Sequence, residues 1–489
     1  MTKDYDVIVI GAGIGGICCA AMLSHAGYKT IVLESLNVLG GRASSYKKDG
    51  CIVDTFIHTV GKAEKGPLGE ILKILDKPDA IKFWHIDPKN KPVLFLAGEK
   101  YVYPDPGYAT EEEIRTAYKG MGLSDADCDE MRSIDKIMYD MTEEESHEID
   151  DVPHFEWLSK HTDNQMVHIM HMSRSMMAGG IGPDEASAGE MVRMTKSWHL
   201  EGPMSYPYGG FCAIPEAFAD IILENGGEVR LKESVDKIIV EDGKAVGVKT
   251  KSGEELRARA VVSNAGIKTT VAKLVPDGAL PKDYCEYAEN LTYGALAEEV
   301  TSIQISLHIL VDEVVIKEPV VFAIPVAGYG DQKLDAISSN PTEEEKKKLL
   351  GQVGFYTTVT SNMDPSIVPP GKQLINLSAR AFRDLPLKET VENWKTILDL
   401  LYPGIKEKIL WVDTVMGSAM KNFCGHPVPN VIGIGQVVGQ VGENRPSVEC
   451  PLPGLFHVGA DVGKLHIGVE LAADGALLAT PVIKEYLGS

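Results

Sequence analysis

The sequence predicts an α/β fold, and three features of its first 34 residues carry this prediction. Residues 6–10 form a short apolar, β-branched run of the length expected for a buried strand. Gly11, Gly13 and Gly16 follow as a G-x-G-x-x-G turn, and apolar residues then recur at helical spacing. A second apolar run, residues 30–34, ends in an acid. This strand–turn–helix–strand order is typical of a Rossmann-like dinucleotide-binding unit.

Each residue of this motif has a physical role in holding a dinucleotide. Gly11 permits the tight turn, Gly13 lets a pyrophosphate approach the backbone, and Gly16 lets the helix pack on the strand. The helix N-terminus offers unpaired N–H groups to the phosphates. Glu34 can accept hydrogen bonds from both ribose hydroxyls, and an acid there disfavours a 2′-phosphorylated nucleotide.

Length and charge narrow the class of protein. A chain of 489 residues is too long for one core, so we expect two or three domains. The net charge of −22 disfavours binding to nucleic acid. No apolar run has the length of a membrane span, and no basic and apolar leader precedes the first strand. We therefore expect a cytoplasmic protein with reduced cysteines, and peripheral membrane contact stays open.

The rest of the chain alternates strands and helices. Residues 235–263 predict three strands joined by hairpin turns, and residues 214–223 predict an amphipathic helix. Threonines followed three residues later by glutamates predict capped helix starts at Thr110, Thr142 and Thr342. Four further strands are predicted over residues 302–311, 320–324, 354–360 and 373–380. The block 454–478 reads as a strand, an acid, a glycine loop and a small-residue helix, which repeats the logic of the opening motif.

Segments 5–60, 206–266 and 454–480 together resemble the FAD-dependent amine oxidase superfamily, and within it the phytoene desaturase and carotenoid isomerase branch. The resemblance implies an α/β protein in which a Rossmann-like FAD-binding lobe of the GR2 type is interleaved with a substrate lobe of mixed sheet and helices. It implies a discontinuous FAD lobe (residues 1–75, 205–285 and 445–489), a helical cap or substrate region (76–204) and a mixed-sheet substrate lobe (286–444).

The same resemblance implies the residues that bind FAD: Gly11, Gly13, Gly15, Gly16, Glu34, Ser35, Gly41, Arg42, Val235, Asp461, Gly468 and Val469. Arg42 is expected near the phosphates and the flavin, and the Val235 backbone is expected to pair with adenine. Asp461 is expected near the ribityl and pyrophosphate groups. The N–H groups of Gly468 and Val469 are expected at the N1/O2 edge of the flavin.

Three side chains are candidate catalytic acids or bases because each lies on a segment expected near the flavin: His466, His58 and Glu470. No metal site is predicted. The leading hypothesis is FAD-dependent desaturation or saturation of a carbon–carbon bond in a lipophilic, isoprenoid or carotenoid-like substrate, with a separate electron acceptor or donor.

Three other functions stay open: redox-neutral double-bond isomerisation on FAD, amine oxidation, and a flavin-free prenyl-binding escort protein. Residues 464–467 contain no Tyr, Trp or Phe, which disfavours the amine cage common in amine oxidases. They also contain no Pro-Gly pair, which is common in carotenoid desaturases. The complete glycine motif with Glu34 and Arg42 disfavours the escort protein.

Overall fold

A computed structural model describes residues 4–56, 59–177, 181–202, 204–295, 297, 301, 303–326, 341–382, 385–425 and 433–488. His58, one of the three predicted catalytic residues, lies outside these ranges. The described chain contains two large sheets, two small ones, and a group of helices.

The strands, numbered in chain order, are β1 Asp4–Ile10, β2 Thr30–Leu33, β3 Ser45–Lys48, β4 Cys51–Asp54, β5 Phe83–His85, β6 Val93–Leu96, β7 Glu99–Val102, β8 Ser205–Pro207, β9 Glu228–Arg230, β10 Val235–Glu241, β11 Lys244–Thr250, β12 Glu255–Ser263, β13 Gln304–Val311, β14 Val320–Ala323, β15 Phe355–Thr358, β16 Gln373–Arg380, β17 Ile409–Met416 and β18 Leu455–His457. The predicted meander at 235–263 and the four predicted strands between 302 and 380 are confirmed.

The first sheet has the order β10-β11-β12-β1-β2-β9, and β18 also pairs with β12. Strands β9, β2, β1, β12 and β18 run parallel, so their carboxyl ends meet at one edge. Strands β10 and β11 add an antiparallel ribbon. Ligands of open parallel sheets bind at the carboxyl ends of the strands, so this edge is where a nucleotide is expected.

The second sheet has the order β17-β13-β16-β15-β14-β6-β7 and is antiparallel except for the pair β14–β6. Residues 93–102 therefore pair with this sheet, and they fall within the predicted helical cap or substrate region 76–204, whose bounds stay a prediction. The pairing joins Val93 to Val321 across more than two hundred residues. Such a contact leaves no trace in local sequence pattern.

The α-helices are α1 Ile14–His25, α2 Pro67–Ile74, α3 Glu111–Gly120, α4 Asp125–Asp140, α5 Glu143–His147, α6 His154–Ser159, α7 Gln165–Met177, α8 Ala188–Lys196, α9 Ala213–Glu224, α10 Ile267–Thr269, α11 Lys282–Asn290, α12 Glu343–Leu350, α13 Thr360–Met363, α14 Leu387–Leu401, α15 Met420–Cys424 and α16 Gly468–Gly488. The capping boxes predicted at Thr110, Thr142 and Thr342 are confirmed. None of these described helices is both long and apolar enough to cross a bilayer.

The buried side chains form separate hydrophobic clusters around the two large sheets and among the helices. Helices α1, α9 and α16 pack on the first sheet, and one hydrophobic cluster continues from them to the face of the second sheet that carries Phe322 and Leu374. The other face of the second sheet packs on α14 through Trp394. Helices α3 to α8 form a separate apolar cluster. The first of these clusters thus joins the helices that pack on the first sheet to one face of the second sheet.

Candidate functional site

A cavity of about 620 Å³ lies at the carboxyl edge of the first sheet. Gly11, with φ +92°, turns the chain from β1 into α1, and its N–H donates to the carbonyl of Leu33. A Cβ on Gly16 would lie 2.2 Å from the Gly11 oxygen, so glycine is required for α1 to pack this closely. Gly11, Gly13 and Gly15 line the cavity, whereas Gly16 supports the wall from behind.

Glu34 forms one wall of the cavity directly after β2 and is 6% exposed. Its Oε2 accepts from the Ala12 N–H at 2.7 Å, and its Oε1 accepts from the Leu36 N–H at 2.8 Å and from the Ser35 hydroxyl at 3.1 Å. These bonds fix the carboxylate and leave lone pairs for ribose hydroxyls. Glu34 therefore both orders the glycine turn and faces the nucleotide space.

The segment 40–43 is held against the glycine turn. The Gly40 N–H donates to Ala12 O at 2.9 Å, and Gly41 adopts φ +57°. A Cβ on Gly41 would lie 3.5 Å from the Gly13 Cα, so the two glycine segments approach closely enough to face one phosphate group together. Gly41 and Arg42 both line the cavity.

Val235 lies at one end of the cavity, where β10 begins, beside Ser234 and Lys251. The Lys251 N–H donates to Ser234 O at 2.7 Å, which closes this end of the meander. Pairing of the Val235 backbone with adenine stays a prediction, and the position of Val235 on the same cavity as Glu34 is compatible with it.

Asp461, Gly468 and Val469 lie at the other end of the cavity. The buried Asp461 carboxylate accepts from the N–H groups of Ile267 at 2.9 Å and Ile434 at 3.1 Å. Gly468 begins α16 with φ +62°, and no atom lies within 4 Å of where its Cβ would stand. The first turn of α16 thus points free N–H groups and the positive end of its dipole at an open space.

Other residues complete the cavity without having been predicted. Asn264 follows β12 at the carboxyl edge, and with its amide oxygen toward Gly13 it accepts from that N–H at 3.3 Å and donates to Val458 O at 3.3 Å. The sequence could have predicted Asn264, since it directly follows a parallel strand, at the end where ligands bind. Thr269, Lys273, Leu274 and Phe423 also line the cavity and come from segments with no recognisable motif.

His466 lies in the loop before α16, two residues from the cavity wall, and is half-buried with φ +75°. Burial and the charge of Lys62 lower its pKa to about 4. Lys62 itself forms an ion pair with Glu201. The imidazole is therefore neutral at pH 7 in a backbone conformation that non-glycine residues rarely adopt, a combination found at functional sites.

Glu470, another of the predicted catalytic residues, contacts the backbone of segment 61–63. Its Oε1 accepts from the Ala63 N–H at 2.9 Å, and the side chain is 4% exposed. Burial raises its pKa to about 7, although hydrogen bonds from the 61–63 backbone oppose this rise. The described cavity lining contains neither Glu470 nor His466. These contacts assign Glu470 to holding segment 61–63, and the predicted catalytic role finds no support in them.

The cavity fits FAD along its whole length. A glycine cradle with a carboxylate at one end is suited to an adenosine diphosphate, and a helix N-terminus at the other end is suited to the electron-rich edge of a flavin. Glu34 and Val235 would hold the adenosine, the 11–15 and 40–42 segments the pyrophosphate, and the Gly468–Val469 backbone the flavin edge.

Curated relatives share the sequence at low identity. A 4,4′-diapophytoene desaturase of Methylomonas sp is 25% identical over 77% of this chain and 73% of its own. The chloroplastic prolycopene isomerase of Daucus carota is 26% identical over 58% of this chain and 49% of its own. The all-trans-retinol 13,14-reductase of Danio rerio is 24% identical over 98% of this chain and 86% of its own.

Solved structures share the fold. An oxidoreductase from Methanosarcina mazei superposes with a TM-score of 0.67 at 20% identity and covers 98% of this chain and all of its own. Cyclohexylamine oxidase from Brevibacterium oxydans superposes with a TM-score of 0.66 at 14% identity over the full length of both chains.

Fold and cavity thus define a two-lobed, FAD-dependent oxidoreductase. The family of flavin containing amine oxidoreductases matches residues 14–301, and the chain belongs to it. Within that superfamily, the chain is similar to carotenoid desaturases and isomerases at 25–31% identity.

Proposed function

We propose that this protein desaturates or saturates a carbon–carbon bond of a lipophilic, isoprenoid-like substrate and exchanges the electrons with a separate acceptor or donor. The observation that carries the proposal is an aromatic wall on the face of the second sheet that looks toward the FAD lobe. Tyr103 stacks on Phe322 with ring centroids 4.2 Å apart, and Phe322 meets Tyr356 at 5.0 Å. A wall of this kind suits a long unsaturated hydrocarbon.

Tyr356 packs against the hydrophobic cluster that the two sheets share, and its side chain is half-buried. Burial raises the pKa of its hydroxyl, which lies 3.2 Å from the Thr59 hydroxyl. The Thr55 N–H donates to Ser44 O at 2.9 Å, next to Ala43 on the FAD cavity. Thr59 therefore contacts the aromatic wall, and Ala43, earlier in the chain, lies on the cofactor cavity.

When bound, FAD supplies the two-electron chemistry, and the chain supplies position and protons. The aromatic wall would orient the substrate and exclude water. Neutral His466, whose pKa lies near 4, is able to accept a proton at a ring nitrogen and return it. Burial is the main reason why this imidazole stays neutral; the charge of Lys62 lowers its pKa further, and the charge of Glu201 opposes that effect.

Amine oxidation is less well supported. Residues 464–467 bring no Tyr, Trp or Phe ring to the start of α16. Lys464, in the same stretch, forms an ion pair with Glu443. The Glu470 carboxylate, an acid near this loop, is occupied by backbone donors. A cation would meet neither an aromatic cage nor an available carboxylate from these residues.

Redox-neutral isomerisation is a second candidate, and the match to a prolycopene isomerase over 58% of this chain favours it. The match to a retinol reductase over 98% of this chain supports the saturating direction of the first candidate. The two candidates share the cofactor and the wall and differ in whether the substrate changes its hydrogen count.

In the test, the FAD-loaded protein is incubated anaerobically with a polyene hydrocarbon or a polyene alcohol. One set of incubations starts from the oxidised protein with a quinone acceptor, and the other from the photoreduced protein. Products are separated by chromatography and their masses are measured by mass spectrometry. Loss or gain of two hydrogens supports the first candidate, and unchanged mass with a new retention time supports isomerisation. Turnover of simple amines with no conversion of either polyene would overturn both.

A further inference from the structure

Gln436 forms a bridge between helix α8 of the helical region and the loop before α16. Its Nε2 donates to Glu190 Oε1 at 2.6 Å and to the carbonyl of His466 at 3.0 Å. Gln436 is 4% exposed and Glu190 is 2% exposed, so water does not compete for these bonds. The bond to Glu190 is charge-assisted, which makes it stronger than an ordinary amide contact.

The orientation of the Gln436 amide is fixed by its partners. Both neighbours are acceptors, so the NH2 group must face them and its two hydrogens are both used. Its Oε1 is buried with no partner among the described residues. The amide of Gln436 therefore has one orientation, in which its NH2 group faces Glu190 and the carbonyl of His466.

Glu190 is itself anchored. Its Oε2 accepts from Arg193 at 2.8 Å, and Arg193 also donates to Asp150 at 2.6 Å. The backbone before α8 also pairs with the backbone that follows Gln436: Ala186 forms a β-bridge with Val437, and the Val438 N–H donates to Glu185 O at 2.9 Å. The start of α8 and residues 436–438 therefore behave as one rigid support.

The bridge ends on the loop that aims α16 at the cofactor. His466 holds φ +75°, and Gly468 and Val469 line the cavity immediately after it. We infer that Glu190 and Gln436 are positioning residues that set the distance between the N-terminus of α16 and the flavin edge. They act through the carbonyl of His466, so this bond links α8 to the loop that precedes α16.

The test measures the midpoint reduction potential of the bound flavin, a readout that depends on no substrate. Gln436→Leu keeps the volume and removes both donors. We expect the potential to become more negative while FAD stays bound, because the helix N–H groups would retreat from the edge where negative charge develops on reduction. Amide hydrogen exchange over 463–469 should rise in parallel.

Gln440→Leu is the matched control. Gln440 lies in the same loop and is buried, but its amide bonds to the backbone of Thr292 and Gly435. We expect it to lower the melting temperature and to leave the potential unchanged. An unchanged potential in folded, FAD-bound Gln436→Leu, or an equal shift in both variants, would overturn the inference.

Glu190 supplies a second comparison that holds even if Gln436→Leu does not fold. Glu190→Gln keeps an acceptor for the Gln436 amide, whereas Glu190→Ala removes it. The potential should shift less in Glu190→Gln than in Glu190→Ala. Equal potentials in these two variants would contradict the positioning role. Because FAD binding does not depend on the substrate, failure of this test leaves the proposed function intact.

Discussion

The Tyr206 hydroxyl donates a 2.6 Å hydrogen bond to the fully buried carboxylate of Asp54, which joins β8 to β4. The other oxygen of Asp54 accepts from the Ser45 hydroxyl at 2.7 Å and from the Phe211 N–H at 2.9 Å. Sequence positions 45, 206 and 211 thereby converge on one buried carboxylate. Burial nevertheless dominates and raises the pKa of Asp54 to about 6.

Asp54→Asn should remove a pH dependence of stability. Since the folded state holds the Asp54 proton up to about pH 6 and the unfolded state releases it near pH 4, the wild-type free energy of unfolding falls between these values. At 1.36 kcal/mol per pKa unit this fall is about 3 kcal/mol. Asparagine keeps an acceptor for Phe211 and does not titrate. Urea unfolding at a series of pH values should show that the free energy of unfolding falls from pH 4 to 6 in the wild type but not in the variant. The same pH dependence in both proteins would disprove the raised pKa of Asp54.

Glu34→Ala should weaken FAD binding. Hydrogen bonds to a charged group contribute about 1.5–3 kcal/mol, which corresponds to a loss of affinity of roughly ten- to hundredfold. The dissociation constant of FAD is measured from the quenching of flavin fluorescence when FAD is titrated with apoprotein. Glu228→Gln, one strand away on β9, removes an acid from the same sheet outside the cavity lining and should bind FAD normally. Equal affinity in Glu34→Ala and wild type would exclude Glu34 from the site.

The substitution Glu470→Gln tests whether the Glu470 carboxylate has a structural or a catalytic role. An amide NH2 facing the backbone donors of segment 61–63 should cost about 1–3 kcal/mol of stability. Stability of the wild type should also fall as pH rises from 4.5 to about 7, because the folded state holds the Glu470 proton longer, and the variant should lack this slope. Turnover should persist. A rate that collapses in a folded, FAD-bound variant would restore the catalytic role.

His466 is tested by two substitutions that remove the imidazole. Alanine retains the strain of φ +75°, and glycine relieves it, so His466→Gly should be more stable than His466→Ala by about 1 kcal/mol. Both should lower kcat with FAD retained, by about a hundredfold if the imidazole transfers a proton. Wild-type kcat should fall only as pH drops toward 4, where the imidazole becomes charged. Unchanged kcat in both variants would remove His466 from the mechanism.

Local patterns gave the most secure predictions. The glycine turn, Glu34, the 235–263 meander and the capped helices each depend on residues close in sequence, and the structure contains them. What was missed depends on contacts between distant segments: the parallel pair β6–β14, Asn264 behind the glycine turn, and Gln436 between Glu190 and His466. The catalytic role of Glu470 stays a prediction, and its contacts with segment 61–63 were missed because a place in the first turn of a helix does not reveal which way a side chain points.

The chain order of the first sheet has a consequence for biosynthesis. Strand β18 and the start of α16, residues 455–469, close a cavity whose opposite wall is made by residues 11–42. Synthesis must therefore pass residue 469 before the pocket can form. Residues 11–42 emerge long before their partners across the cavity, so cofactor retention should depend on docking of the segment 455–469.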